Sequence, residues 1–180
     1  TATKTIAPAI EMIRERTDQG TINLNTNGSL PDSVKILCKA GLDAMRVSMN
    51  SVRKICYQAY FRPKSYDFSE VLNSIDIAKD KGKFVSINYL NCPGFTDSQE
   101  EFMALKKFIG NNQINMIQWR NLNFDPKKYC ALMSKVEDSG KALGIGIIIK
   151  ELSIHFPNLI HGYFPRVLLA QIDACGVGVN

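Results

Sequence analysis

Residues 21–28, TINLNTNG, constrain the fold more than any other stretch of this sequence. Ile22 and Leu24 alternate with Asn23, Asn25 and Asn27, so an extended strand here is apolar on one face and lined with carboxamides on the other. Gly28 closes the stretch, and Pro31 and Asp32 then open an apolar-periodic run over residues 34–40. Strand, turn and helix start make the first half of a βα unit, which predicts a parallel sheet.

The pattern recurs along the chain. A helix with Ile6, Ile10 and Ile13 on one face is predicted over residues 5–16, and the helix over residues 32–40 ends at Gly41, a residue suited to the left-handed closing position. Further strands are predicted over residues 44–50, 84–90 and 116–122, while residues 51–66 read as a long connection rich in aromatic and basic side chains. Asp67 and Glu70 have capping-box spacing and open a helix that runs to Gly82. Asp97 and Glu100 open another that stops before Gly110. Helices over residues 126–138 and 143–156 and a last strand over residues 159–164 follow.

Repeated strand–helix alternation implies parallel βα units with right-handed crossovers. An open doubly wound sheet and a (βα) barrel both satisfy it. No GxGxxG or GxxxxGK[ST] turn follows any strand, so dinucleotide and P-loop phosphate binding lack support. The barrel moves ahead: the expected class is α/β, a partial TIM-like (βα) barrel truncated on its N-terminal side. The chain begins at Thr1 and enters a helix at once, so we expect a fragment of a longer protein.

Composition sets outer limits. With 180 residues, 45% hydrophobic and 22% charged, the chain can bury one substantial core, and no run reaches the apolar length of a membrane span. A cytoplasmic protein is expected. The net charge of +5 is spread out, with lysine clusters such as Lys79, Lys81 and Lys83 at helix ends, which disfavours nucleic acid as a partner. Five cysteines without CxxC spacing read as reduced, mostly buried thiols and give no metal site. Cys92 reads as a small buried hydrophobe, and His155 and His161 as structural.

The strands are unusual in their polar faces. Parallel strands covered on both sides are normally continuous Val, Ile and Leu runs. Here Arg46, Ser48 and Asn50 oppose Met45, Val47 and Met49; Ser86 and Asn88 oppose Val85, Ile87 and Tyr89; Gln118 and Arg120 oppose Ile117 and Trp119. Burying an amide without a partner costs about 1–3 kcal/mol. A single asparagine of this kind belongs to a satisfied network or an exposed face. The set in phase on four strands points instead to a polar cavity, with its site where the βα loops gather at the C-terminal strand ends.

These residues resemble the later part of the radical S-adenosylmethionine (radical SAM) enzyme core. INLNTNG (22–28) resembles that family's third strand and AGLDAMRVSMNS (40–51) its fourth, followed by AYFRP (59–63). FVSINYLNCPGFTD (84–97) resembles the fifth strand and its loop, and MIQWRNLN (116–123) the sixth. The resemblance covers residues 1–125. On it, residues 1–165 form a partial radical SAM barrel and residues 166–180 a C-terminal tail.

The resemblance implies a [4Fe-4S] cluster that cleaves S-adenosylmethionine by one-electron transfer, yielding a 5′-deoxyadenosyl radical for hydrogen abstraction. By position, Ser48, Asn50, Asn25 and the backbone of Leu122 would contact the cofactor, although other members often carry a carboxylate where Asn50 stands. Ser86, Asn88, Gln118 and Arg120 would face the substrate, with Arg120 suited to an anionic group. The family's CxxxCxxC motif is not in this sequence, so the cluster ligands would lie upstream and the chain alone should be inactive. No residue is assigned a catalytic or metal-ligating role. A small-molecule or peptide substrate and an electron donor such as flavodoxin or ferredoxin are the expected partners.

Two other readings compete. A non-catalytic half-barrel could bind a small polar ligand. An ordinary barrel lyase or aldolase would need a lysine or paired carboxylates on the polar strand faces, which carry none. The strand over residues 21–26 is expected to be an uncovered edge, open to self-association.

Overall fold

The computed structural model describes residues 3–136 and 140–162. Among these residues, seven helices and five strands follow in the order α1 (Thr3–Arg16), β1 (Asn23–Thr26), α2 (Pro31–Ala40), β2 (Ala44–Met49), α3 (Lys54–Phe61), α4 (Phe68–Asp80), β3 (Phe84–Asn91), α5 (Gln99–Asn112), β4 (Met116–Asn121), α6 (Pro126–Met133), α7 (Ile145–His155) and β5 (Ile160–His161). The strands form one open sheet in the order β1-β2-β3-β4-β5, every neighbouring pair parallel. This is the expected α/β class of partial barrel, with β1 at one edge.

One apolar cluster holds the sheet against its helices. Met45, Val47, Val85, Ile87 and Ile117 meet Ile10 of α1, Leu37 of α2, Val71 and Ile75 of α4, Leu105 of α5 and Ile148 and Leu152 of α7. Burying side chains of this kind contributes roughly 1.5–3 kcal/mol each, so the in-phase apolar faces of the strands supply the main force for closure. A smaller cluster of Cys56, Cys92, Phe95, Tyr129 and Met133 lies beneath α6.

Local signals fix the elements. Asp67 and Glu70 make the capping box at the start of α4, each side chain serving the other's backbone N–H. Gly28 turns the chain at φ +68, where an added Cβ would stand 3.3 Å from Val71, and its carbonyl accepts the Ser74 hydroxyl at 2.6 Å. Only glycine fits that turn without strain. Arg14 pairs with Asp43, whose carboxylate also accepts the Ile22 N–H at 2.7 Å, tying α1 to the starts of β1 and β2.

Several boundaries differ from the sequence expectation. Residues 51–66 are no open connection, since α3 occupies residues 54–61 and buries Cys56 and Tyr57. Its N-cap, Arg53, makes no side-chain capping bond, which removes the usual helix-start signature. Ser98 rather than Asp97 caps α5, accepting the Glu101 N–H at 3.2 Å, while Asp97 accepts the Gly94 N–H at 2.6 Å. Gly110 lies within α5. β2 ends at Met49, α6 ends at Met133, and β5 is two residues long. The end of the predicted last strand, Cys175 and the tail at 166–180 fall outside the described residues. No helix among the described residues is long and apolar enough to cross a membrane.

Candidate functional site

The strand register puts the polar side chains in rows. Asn25 stands opposite Arg46 and Arg46 opposite Ser86; Ser48 stands opposite Asn88 and Asn88 opposite Gln118; Leu90 stands opposite Arg120. Residues paired across parallel strands share a face. The polar residues of β2, β3 and β4 therefore lie together, opposite the apolar face covered by the helices.

Toward the C-terminal ends of these strands the rows open into a cavity of about 300 Å³. Ser48 and Met49 of β2, Asn88 and Leu90 of β3, and Arg120, Asn121 and Asn123 of β4 and its loop line it, with Tyr60 and Phe61 of α3 as an aromatic wall. α3 is held in this position by a tilted contact of Tyr57 with Phe68 of α4 at 4.8 Å and an edge contact of Tyr60 with Tyr129 of α6 at 5.5 Å. The Asn88 side-chain oxygen is buried and has no hydrogen-bond partner. A buried acceptor left unpaired in the wall of a cavity calls for an explanation, and a ligand donor is one.

Ser48, Asn88 and Arg120 thus line one cavity as the sequence pattern anticipates. Ser86 and Gln118 share their face but lie deeper, both buried, and the Ser86 hydroxyl accepts from Arg46 Nε and donates to the Met45 carbonyl, both at 3.4 Å. Burial, and then the charge of Arg120, hold the Arg46 guanidinium below its ordinary pKa. Asn25 is exposed on the edge strand, accepting from Asn23 at 3.4 Å, and sits by a separate cleft with Thr3 and Leu30.

The side chains of Asn50 and Leu122 point elsewhere. β2 ends one residue before Asn50, so the two-residue alternation no longer governs it, and the side chain turns into the lower cluster. There Asn50 is fully buried and donates to the Cys56 carbonyl at 3.1 Å and to the Tyr129 hydroxyl at 3.3 Å. Leu122 likewise packs against that cluster. Neither side chain lines the cavity.

Across the sheet from the cavity is a charged group the sequence reading passed over. Glu101 of α5 is fully buried, accepting the Ser51 hydroxyl at 2.9 Å, the Val52 N–H at 3.2 Å, Arg53 Nε at 2.6 Å and the Tyr89 hydroxyl. Burial, then the nearby carboxylate, push the Tyr89 phenol well above its ordinary range, so it acts as a permanent donor. This knot anchors the loop that follows Ser48. Its signal was helical spacing, because Glu101 stands in register with Leu105 and Phe108 on the buried face of α5.

His161 lies on β5 beside Ile117 rather than at the cavity, accepting from Trp119 Nε1 at 3.0 Å with its ring stacked on the indole. Burial lowers its pKa. Cys38, Cys56 and Cys92 are buried.

Comparison with known proteins places this geometry. The family model of the radical SAM superfamily matches residues 3–105. The chain belongs to the radical SAM superfamily. The FeFe-hydrogenase maturase HydG from Carboxydothermus hydrogenoformans superposes with a TM-score of 0.60 at 15% identity, over 98% of this chain and 42% of its own. SuiB from Streptococcus suis, solved with S-adenosylmethionine bound, gives 0.57 at 15% identity over 94% of this chain and 38% of its own. Methylornithine synthase (PylB) gives 0.55 at 12% identity, over 90% of this chain and 52% of its own. At these identities the likeness is one of fold, and the chain spans about half or less of each neighbour's length. No curated protein matches the sequence.

Family membership implies S-adenosylmethionine and an iron–sulfur cluster. The cavity suits the former: hydroxyl, carboxamide and guanidinium groups beside two aromatic rings match a ligand with an amino acid end and a nucleoside end, and the orphan Asn88 oxygen awaits a donor. The latter does not fit here, since no three Cys, His, Asp or Glu side chains converge among the described residues.

Proposed function

We propose that this chain forms the S-adenosylmethionine and substrate cavity of a radical SAM enzyme, a subset of the activity its superfamily carries. The observation that supports the reading best is Asn88, whose side-chain oxygen is buried without a partner at the wall of a cavity also lined by Ser48, Arg120 and the Tyr60 and Phe61 rings. When bound beside a cluster held by other residues, S-adenosylmethionine supplies one-electron hydrogen-abstraction chemistry.

The chain's own residues bind and orient. Ser48 offers a hydroxyl as donor and acceptor, Asn88 an acceptor oxygen for an N–H or O–H of the ligand, and the rings of α3 a face for a planar base. Arg120 presents a guanidinium at the cavity for a carboxylate or phosphate of a small-molecule or peptide substrate. Ser86 and Gln118 form the floor beneath them. Electrons would come from a flavodoxin- or ferredoxin-type donor.

Titration of S-adenosylmethionine into the protein and into its Ser48→Ala and Asn88→Ala variants tests this assignment. Loss of one ligand hydrogen bond of about 1.4 kcal/mol corresponds to an affinity about tenfold weaker. Equal affinities for all three proteins would remove the cavity from cofactor binding.

A further inference from the structure

Two cysteines far apart in the chain meet where the loop after β3 passes under α6. Cys92 Sγ and Cys130 Sγ lie 4.0 Å apart across a sequence separation of 38 residues. Their environments are opposite: Cys92 is 3% exposed, packed with Phe95, Tyr129 and Met133, whereas Cys130 is exposed.

Cys92 is held in place. Its N–H donates to Thr96 Oγ1 at 2.9 Å and its carbonyl accepts the N–H groups of Phe95 and Thr96 at 3.0 and 2.9 Å. Cys130 is held by its helix, because its neighbours Tyr129 and Met133 are the buried anchors of α6. A disulfide bond is about 2.05 Å long, so roughly 2 Å must close, a distance within the reach of χ1 rotation at the exposed cysteine.

We propose that Cys92 and Cys130 form a dithiol–disulfide site that exchanges with small disulfides of the glutathione class. The exposed Cys130 is the entry point. Its thiolate attacks one sulfur of glutathione disulfide, forming a mixed disulfide and releasing one glutathione thiolate. The Cys92 thiol then loses its proton to solvent and attacks Cys130 Sγ, expelling the second glutathione. Two protein thiols are oxidised and one glutathione disulfide is reduced to two thiols.

Burial first, and the adjacent Cys130 second, push the Cys92 thiol up to about 12, so the exposed Cys130 and not Cys92 makes the first attack. The bond would close the chain from β3 to α6 into one loop and fasten α6 to the strand whose Leu90 lines the cavity. The inference does not rest on the cavity's ligand.

Peptide mapping after incubation of the folded protein with glutathione disulfide, followed by alkylation of the remaining thiols, tests it. The wild type should lose two hydrogens in intact mass and yield a reducible peptide pair joining Cys92 to Cys130. Cys92→Ser should instead retain glutathione on Cys130, and Cys130→Ser should leave Cys92 reduced, with thiol loss there slower by about tenfold or more. A wild-type protein that keeps glutathione on Cys130, leaves it unmodified, or cross-links either cysteine to Cys56 or Cys175 would overturn the proposal.

Discussion

The two sides of β2 and β3 handle polar groups in opposite ways. Beneath the helices, the Glu101 carboxylate is fully buried yet accepts four hydrogen bonds, from Ser51, Val52, Arg53 and Tyr89. On the other face, the Asn88 oxygen is buried with no partner at the wall of a cavity. A buried polar group costs little when paired and about 1–3 kcal/mol when not. The first arrangement is a brace and the second is an opening for a ligand, and they sit on successive residues, Asn88 and Tyr89, of one strand.

Substitutions on the two sides should therefore separate stability from binding. Glu101→Ala removes the acceptor of four hydrogen bonds, from Ser51, Val52, Arg53 and Tyr89, at a fully buried position, and should cost about 3–5 kcal/mol in denaturant unfolding. A cost below about 1 kcal/mol would show that the brace is not formed. Asn88→Ala should reverse the balance: stability unchanged within about 1 kcal/mol, because no hydrogen bond of the free protein is lost at its oxygen, and S-adenosylmethionine affinity reduced about tenfold. Parallel calorimetric titration and urea melts read both quantities.

Smaller effects sharpen the contrast. Tyr129→Phe removes the acceptor at 3.3 Å from Asn50 but leaves the Cys56 carbonyl in place, so unfolding should lose only about 0.5–1.5 kcal/mol and cofactor binding should hold. The smallest effect concerns pH. Burial lowers the His161 pKa in the folded chain, so the unfolded chain binds the proton first as pH falls through about 6.5. Stability should decline on acidification below that point, and the decline should shrink in His161→Gln; an unchanged pH profile in the variant would exclude this histidine as its source.

The alternating strands were legible in the sequence because period-two patterning fixes both element type and facing, as Ser48 and Asn88 show by standing directly opposite each other. The capping box at Asp67 and Glu70 was legible because it is a local pair. α3 was not, since Arg53 supplies no side-chain cap and the run from Cys56 to Phe61 carries its aromatics for the cavity wall as well as the core. Asn50 shows the limit of extrapolating a period: one residue past the end of β2, alternation no longer decides where a side chain goes. Glu101 was masked by its place in an acidic first turn, where Glu100 and Glu101 read alike as complements to the helix dipole. Leu105 and Phe108, four and seven residues on, carried the distinguishing signal.

The most direct measurement of the central claim is a heteronuclear NMR titration with S-adenosylmethionine that follows the side-chain amides of the asparagines. The account predicts saturable shifts for Asn88, Asn121 and Asn123 at the cavity, with Asn50 and Asn115, the latter bonded to Lys79 at the far end of β4, unmoved. Shifts confined to Asn50 or Asn115, or none at any asparagine while the ligand binds, would contradict it.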